Sequence, residues 1–420
     1  GQKMWISNAG FANLFVVFAR IEDDKNITGF IVPNDPENGI TLGDEEKKLG
    51  IHASSTRQVF FNETQVPVEN MLGVRGGGFK IAMNALNVGR VKLGVACLEA
   101  QRRSIGVSVQ YANERIQFKQ PISQFGAIKE KLARMAMSCY AGESAAYRVA
   151  HDIKQRIANF VETGISHQEA ELKGVEDFAI ECSLLKVGAS EDIQNCADDG
   201  IQIFGGMGFS AETPMESAWR DARIGRIYEG TNEINRMLAV GMLLKKGLKG
   251  HLKLMEAIMT AATSLTQPFE TTTNKQDALE TAAQMIHQSK TLFLVLLGNA
   301  AQKYGNELEQ HQQILLDLAD VLIEVYFAES CLLRTQKNIQ RSSAEEQVHP
   351  IAMTVLYTFD AVQLTARKLK EVIISMTENE EQQQLLQKLQ EATQYATWPN
   401  VAALKTQIAD HLIKANQYSL

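Results

Sequence analysis

The stretch FGAIKEKLARMAMSC, residues 125–139, decides the fold class of this chain. Its apolar side chains recur every three or four residues, which places them on one face of an α-helix. They are Phe125, Ile128, Leu132, Met135 and Cys139. Proline interrupts helices, and only four prolines follow Pro121, so long uninterrupted helices can form after that residue. Residues 76 to about 243 are therefore predicted to form a bundle of long helices.

The segment from about residue 251 to residue 420 is predicted to be helical as well. It contains only two glycines and is rich in Gln, Glu and Lys. Two further single-face stripes lie in it, namely Leu315, Leu318, Leu322 and Val325, and Val401, Leu404, Ile408 and Leu412. Breaks near residues 263–274 and 341–350 divide the segment into smaller helical groups, and no repeat of fixed period is visible.

Residues 1 to about 74 carry the signals of β-strands. Short runs of β-branched and aromatic residues alternate with turn-forming Asp, Asn, Pro and Gly. The runs are Phe15–Ala19, Gly29–Val32 and Gln58–Phe61. This pattern predicts antiparallel β-structure, a sandwich or part of one. Because the opening segment Gly1–Ser7 resembles the middle of a strand-rich region, we expect the chain to be incomplete at its N-terminus.

Composition argues against several classes of function. The chain has 420 residues, of which 45% are hydrophobic and 22% charged, and a formal net charge of −7. An acidic chain lacks the basic surface that binds nucleic acid, and the longest apolar run, Leu292–Leu297, is too short to span a membrane. The eight histidines form no metal-ligand pair, so no metal is expected. Five scattered cysteines without CxxC spacing indicate buried, reduced thiols in an intracellular protein.

One basic stretch allows a peripheral membrane contact. Residues 242–254 (MLLKKGLKGHLKL) carry four lysines and no acid, interleaved with leucines. Such a stretch can lie on an anionic bilayer, where each lysine contributes about 1 kcal/mol. The alternative is a solvated connector between domains, because Gly247 and Gly250 weaken a helix.

The most informative stretch for chemistry is RDARIGRIYEGTNEI, residues 220–234. One helix is predicted to end before the Glu229–Asn232 turn and another to begin after it. The Glu229 carboxylate can project into a cavity, and Gly230 lets a ligand approach the backbone. The N-terminus of the second helix suits an anion or a polar cofactor edge. The alternative is that Glu229 is a solvated loop carboxylate.

Three weaker candidates each have a structural alternative. The Gln202–Gly208 segment (QIFGGMG) permits backbone approach to a ligand, but a helix C-terminus followed by a turn looks the same. Arg115 with Phe118 can bind a phosphate and flank a ring, although a surface ion pair and a core ring are the commoner roles. Trp5 and Ser7 would share one strand face and offer a flat ring and a hydroxyl, or they are simply a packed Trp beside an ordinary Ser.

Taken together and in this order, these motifs resemble the acyl-CoA dehydrogenase family of flavoproteins. The matching segments are Lys3–Asn8 (KMWISN), Gly77–Arg90, Arg115–Phe118 with Phe125–Gly126, Gln202–Gly208 and Arg220–Arg236. They are specific in combination. The helical segment that follows resembles the extension of the very-long-chain branch, including its mitochondrial member, by length and helicity.

The resemblance implies an α+β fold that is mostly α. Residues 1–74 would be the C-terminal part of a middle β-domain, residues 75–245 a four-helix-bundle dehydrogenase domain, and residues 250–420 a helical C-terminal extension. FAD would lie between the first two. The family's N-terminal helical domain and an early β-domain segment find no match here. A bacterial cytoplasm or a mitochondrial matrix is the implied location.

The resemblance also assigns roles to individual residues. Contacts to FAD are expected from Trp5, Ser7, Arg115, Phe118, Gln202, Gly205, Gly206, Thr231, Asn232 and Glu233. Contacts to acyl-CoA are expected from Leu86, Asn87, Gly89, Arg90, Tyr228 and Gly230, with Arg90 on the CoA. Because Arg115 and Gln202 would reach FAD across a subunit boundary, a homodimer is implied. Electron-transfer flavoprotein is the implied electron acceptor.

Glu229 aligns with the catalytic base of the family. It would remove the α-proton of a fatty acyl-CoA thioester while a β-hydride passes to the flavin, which yields a trans-2-enoyl-CoA. Some branches carry the base on a helix instead, and that position aligns here with Gly89, which has no side chain. Two other interpretations stay open at this point, an oxygen-using acyl-CoA oxidase-like enzyme and a non-catalytic helical scaffold.

Overall fold

The structure is a computed structural model that describes residues 1–267, 269 and 277–419. The chain divides into two compact units, residues 1–89 and residues 90–420. The described part is mainly helical with small antiparallel sheets, which confirms the predicted mostly-α class. The finer division at residues 74 and 245 stays a prediction.

The first unit contains two three-stranded antiparallel sheets. Strands β1 to β6 are Gln2–Ser7, Leu14–Ala19, Thr28–Pro33, Ile40–Leu42, Thr56–Phe61 and Met71–Leu72. The strand orders are β1-β5-β4 and β2-β3-β6. Phe15, Val32, Ile40 and Val59 form an apolar cluster in this unit. All three predicted strand runs are confirmed. Each run lies inside an observed strand that is one or two residues longer.

Strand β1 is irregular at Trp5. The pairing register with β5 shifts between Lys3 and Ile6, and Trp5 has a backbone φ of 58°. This bulge breaks the alternation of side chains that a regular strand imposes. The spacing of two residues therefore does not establish that Trp5 and Ser7 share one face, which stays a prediction; both residues are exposed.

Long helices form the bundle that the apolar periodicity predicts. Helices α1 to α6 are Gly78–Glu114, Gly126–Glu162, His167–Asp177, Ala179–Phe204, Pro214–Ala222 and Asn232–Leu248, and a short hairpin of β7 (Ile116–Gln117) and β8 (Gln120–Pro121) joins α1 to α2. On α2, the stripe residues Leu132, Met135 and Cys139 are at most 1% exposed. Among the described helices, α1 is the one whose length and composition would allow it to cross a membrane. Buried core helices also meet this criterion.

The remaining helices pack on this bundle within the second unit. Helices α7 to α12 are Leu254–Ser264, Ala278–Tyr304, Gln312–Ile339, Val348–Met376, Asn379–Thr393 and Val401–Ala415. One apolar cluster runs from α1 and α2 through α8, α9 and α10 to α12. The predicted break at 341–350 overlaps the α9–α10 connection, whereas half of the break near 263–274 falls outside the described residues. All five cysteines are free and buried, as predicted.

Candidate active site

The turn that carries Glu229 adopts an unusual backbone conformation. Glu229 and Gly230 both lie in the left-handed region, with φ of 57° and 84°. For a residue with a side chain this conformation costs about 1–2 kcal/mol. A Cβ on Gly230 would lie only 3.0 Å from Nδ2 of Asn235, so the position also lacks space for a side chain. Strain at a non-glycine residue is typical of functional sites and needs surrounding contacts to hold it.

Buried side chains hold the carbonyls of this turn. The Asn235 Nδ2 amide donates to the carbonyl oxygens of Glu229, Gly230 and Thr231 at 3.3, 2.8 and 3.1 Å. The Arg90 Nε donates to the Glu229 carbonyl at 3.3 Å. Asn235 and Arg90 are 0% and 2% exposed. The backbone after the candidate base is therefore fixed from the inside of the bundle.

Lys186 on α4 is the third of these side chains, and sequence reasoning missed it. Its Nζ donates to the Gly230 carbonyl at 2.8 Å and to the Asn232 Oδ1 at 2.7 Å. Burial lowers the pKa of the Lys186 amine to about 8, and the positive charge of Arg90 acts in the same direction. Most of the amine is still protonated at neutral pH. The local signal was a polar stripe at a helical spacing of three and four residues, formed by Ser183, Lys186 and Ser190.

Helix α6 begins directly after the turn. Thr231 is its N-cap, because the Thr231 Oγ1 accepts from the Ile234 N–H at 3.3 Å. The exposed Glu233 lies in the first turn, where the backbone N–H groups lower the pKa of its carboxyl. Asn232 is 1% exposed and its polar atoms contact Lys186, Ser190 and Glu191. The FAD contacts expected of Thr231, Asn232 and Glu233 stay predictions.

A groove of about 450 Å³ opens beside Tyr228 between α1, α4 and α5. Its lining is mostly apolar and extends along α1 from Leu93 to Val107. At 1.5 Å per residue this stretch of helix is about 21 Å long. Tyr228 is 41% exposed, and burial of its ring together with the charge of Glu229 raises the pKa of the phenol. The groove can therefore hold an extended apolar chain next to the candidate base.

Arg115 and Phe118 lie on the β7–β8 hairpin and face solvent. Phe118 is 87% exposed, and Phe118 and Lys119 both have positive φ values of 50° and 69°. Two-residue hairpin turns of this kind normally carry Asn or Gly. The Arg115 guanidinium has no ion-pair partner among the described residues. A free guanidinium beside an exposed ring suits a ligand that contains both phosphate and an aromatic base.

The Gln202–Gly206 segment lies at the same end of the second unit. Tyr111, one turn before the end of α1, stacks on Phe204 with ring centroids 4.0 Å apart and donates to its carbonyl at 3.2 Å. Gln202, Gly205 and Gly206 are exposed, and a Cβ on either glycine would meet open space. The structure thus brings the Arg115 and Gln202 motifs near each other. Ser190, beside the Glu229 loop, lies twelve residues from Gln202 along α4, which is about 18 Å.

The remaining candidate residues belong to the first unit. Trp5 is 60% exposed, and Ser7 is also exposed. Leu86, Asn87 and Gly89 lie on the third and fourth turns of α1, where Asn87 is 2% exposed. Their predicted contacts with flavin and acyl-CoA stay predictions. Within the described part of the chain, no group of three or more His, Cys, Asp or Glu side chains is arranged to hold a metal ion.

Family models cover most of the chain. The model described as acyl-CoA dehydrogenase, middle domain, matches residues 1–64. Two models described as acyl-CoA dehydrogenase, C-terminal domain, match residues 76–243 and 288–391.

Individual proteins with similar sequences and structures carry related names. A probable acyl-CoA dehydrogenase of Bacillus subtilis is 39% identical over all of this chain, which spans 70% of that protein. The mitochondrial very long-chain specific acyl-CoA dehydrogenase of Bos taurus is 32% identical over 92% of the chain, which spans 59% of the bovine protein. A crystal structure of an acyl-CoA dehydrogenase from Bacillus anthracis complexed with FAD superposes with a TM-score of 0.95 at 37% identity, covering 100% of this chain and 71% of that one.

Proposed function

Because the chain belongs to the acyl-CoA dehydrogenase family, we propose that it catalyses FAD-dependent α,β-dehydrogenation of fatty acyl-CoA thioesters to trans-2-enoyl-CoA. The observation that carries the proposal is the Glu229 turn, in which an acid is held in a strained conformation by buried side chains beside an apolar groove. The division into units 1–74, 75–245 and 250–420 and an intracellular location are parts of the same proposal.

Glu229 acts as the general base in this proposal. Its carboxylate removes the α-proton of the thioester, and its own backbone N–H donates to the thioester oxygen, which stabilises the developing enolate. When bound, FAD would supply the acceptor for the β-hydride, and an electron-transfer flavoprotein would take up the electrons. The Asn235, Arg90 and Lys186 contacts keep the Glu229 backbone in place, so the base meets the substrate with little reorganisation.

The residues of the second unit fit FAD as the cofactor. The free Arg115 guanidinium and the exposed Phe118 ring suit the pyrophosphate and adenosine, and Gly205 and Gly206 leave space for close approach. In the family resemblance, Arg115 and Gln202 serve the cofactor of a neighbouring subunit. The proposed active form is therefore a homodimer.

The substrates are long-chain acyl-CoAs. The apolar groove beside Tyr228 continues for about 21 Å along α1, a length that accommodates an acyl tail well beyond a short-chain substrate. Burial of each further methylene in such a groove contributes about 0.8 kcal/mol. A preference for long chains follows if the tail occupies the groove.

Flavin bleaching tests the reaction and the groove together. The flavin-loaded protein is mixed anaerobically with acyl-CoAs of graded length, and rapid bleaching is expected with a preference for long chains. Ala100→Trp, which fills the groove, is expected to lower kcat/KM for long chains at least about ten-fold while leaving short chains unchanged, because only the long tail loses burial. Absence of bleaching by every acyl-CoA would contradict the proposed reaction, and fast peroxide formation in air would identify an oxidase.

A peripheral membrane contact is part of the proposal as well. At the end of α6 and the start of α7, Leu248, Leu252, Met255 and Met259 are 76, 39, 47 and 69% exposed. Lys245, Lys249 and Lys253 are exposed in the same segment. Exposed apolar side chains bordered by lysines are typical of surfaces that lie on anionic lipid.

Vesicle co-sedimentation checks this contact. A variant with Lys245, Lys249 and Lys253 changed to Gln is expected to lose most of its binding to anionic vesicles, since each lysine contributes about 1 kcal/mol. Lys246 is left in place because its amine contacts the Asp177 carbonyl. The matched control changes three exposed lysines elsewhere, Lys25, Lys47 and Lys337. Equal binding by both variants and the parent would remove the membrane role.

A further inference from the structure

Arg236 anchors the helix that follows the candidate base on two sides. It lies one turn into α6, and its Nη1 and Nη2 donate to the two Glu191 carboxylate oxygens on α4, both at 2.8 Å. Its Nε donates to Asp320 Oδ1 on α9 at 2.7 Å. The side chains of Arg236, Glu191 and Asp320 are 14, 25 and 17% exposed. A bidentate, partly buried arginine pair has defined geometry and resists displacement.

The Glu191 carboxylate is also connected by hydrogen bonds to the turn that carries Glu229. The Glu191 Oε1 accepts from the Asn232 Nδ2 at 2.9 Å, and the Asn232 Oδ1 accepts from the Lys186 Nζ at 2.7 Å. Lys186 then donates to the Gly230 carbonyl at 2.8 Å. A continuous set of charge-assisted hydrogen bonds therefore connects Asp320 with the backbone next to Glu229.

Asp320 is held from its other side by α10. Its second oxygen, Oδ2, lies 2.9 Å from the Lys368 Nζ, which also donates to Asp317 Oδ1 at 2.7 Å. Asp317 and Asp320 lie on the same face of α9, one turn apart, and are almost equally buried. The structure gives Asp320, and not Asp317, the contact to Arg236.

We propose that Asp320 is a positioning residue through which the C-terminal helices hold the Glu229 turn in its reactive conformation. The inference rests on the proposed function of Glu229 as the base and assigns a role to the segment after residue 250. Because the left-handed Glu229 conformation is strained, a small loosening of α6 at Arg236 lowers the fraction of molecules in which the base is correctly placed.

The experiment compares two neighbouring aspartates. Asp320→Asn keeps the size of the side chain but removes the negative charge that faces Arg236. Asp317→Asn also removes a negative charge, but that charge faces Lys368 and not Arg236. In anaerobic stopped-flow reduction of the flavin-loaded protein, Asp320→Asn is expected to lower the limiting reduction rate by three-fold to thirty-fold, which corresponds to roughly 0.6–2 kcal/mol. The acyl-CoA dissociation constant is expected to stay within two-fold of the parent, and Asp317→Asn is expected to match the parent in both.

A second pair of measurements separates positioning from general destabilisation. Asp320→Glu retains the negative charge and is therefore expected to show a limiting reduction rate between those of Asp320→Asn and the parent. If Asp320→Asn folds poorly, Asp320→Glu can still be compared with the parent. Adding Asn232→Ala to Asp320→Asn is expected to cost less than the sum of the two single losses, because both changes interrupt one network. A parental rate in Asp320→Asn, equal losses in Asp317→Asn, or additive effects in the double variant would overturn the inference. A parent that no acyl-CoA reduces would instead refute the proposed function itself.

Discussion

Replacing Glu229 by glutamine is expected to slow reduction of the flavin by acyl-CoA by about 10²- to 10⁴-fold, the loss typical of removing a general base. The amide has nearly the same shape as the carboxylate but cannot accept a proton from the substrate. The contacts that hold the turn reach the backbone carbonyls and not the side chain, so they survive the change. Binding of FAD and of acyl-CoA should therefore persist, measured by the flavin spectrum and by equilibrium titration.

The control for this variant is an acid outside the site. Glu171 on α3 has a side chain 57% exposed, and Glu171→Gln is expected to leave the reduction rate unchanged. The rate is measured in a single anaerobic turnover, so it does not depend on the partner that reoxidises the flavin. If Glu229→Gln reduces its flavin at the parental rate, the assignment is wrong and another base must be sought.

The helical part of the fold could be predicted because its signal is local. Burial on one face of a helix imposes a spacing of three and four residues, and Leu132, Met135 and Cys139 show both the spacing and the burial. The same holds for Leu315 and Leu318 on α9. Strands β2, β3 and β5 were recognisable for a similar reason, since β-branched and aromatic runs bounded by turn residues are short-range patterns.

The candidate site could be predicted only in part. The Glu229 motif is contiguous in sequence, but the groups that hold it come from distant positions: Lys186 lies 44 residues before Gly230, and Asp320 lies 84 residues after Arg236. No periodicity links such pairs, since only the packing of α4, α6 and α9 brings them together. Arg90 illustrates the same limit, because its contact with the Glu229 carbonyl joins residues 139 apart.

Trp5 shows the limit of a local rule. Alternation along a strand assumes an unbroken ladder, and the bulge in β1 depends on how this strand pairs with β5, more than fifty residues later. A positive φ at tryptophan has no sequence signature, because aromatic residues avoid that region unless tertiary contacts impose it. Of the ten described non-glycine residues with a positive φ, three are candidate site residues, namely Trp5, Phe118 and Glu229.

Replacing Glu143 by alanine is expected to lower the free energy of unfolding by about 2–4 kcal/mol, because two charge-assisted hydrogen bonds to a buried carboxylate are lost while both arginines stay partly exposed. The Glu143 side chain on α2 is 2% exposed and lies between two arginines. Its Oε1 accepts from the Arg102 Nε at 2.7 Å, and its Oε2 accepts from the Arg334 Nη1 on α9 at 3.0 Å. The variant leaves both guanidinium groups partly buried without their shared counter-ion. Urea titration of the flavin-loaded protein, followed by far-UV circular dichroism, measures the loss.

The matched control lies on the same helix. Glu130 also pairs with a basic residue of the C-terminal helices, Lys405, at 2.7 Å, but its side chain is 54% exposed. An exposed pair contributes at most about 1 kcal/mol because water screens both charges and the side chains lose entropy on pairing. Glu130→Ala is therefore expected to shift the urea midpoint only slightly. Equal shifts in the two variants would show that Glu143 is screened as effectively as a surface residue, and burial would then not be what makes its ion pairs matter.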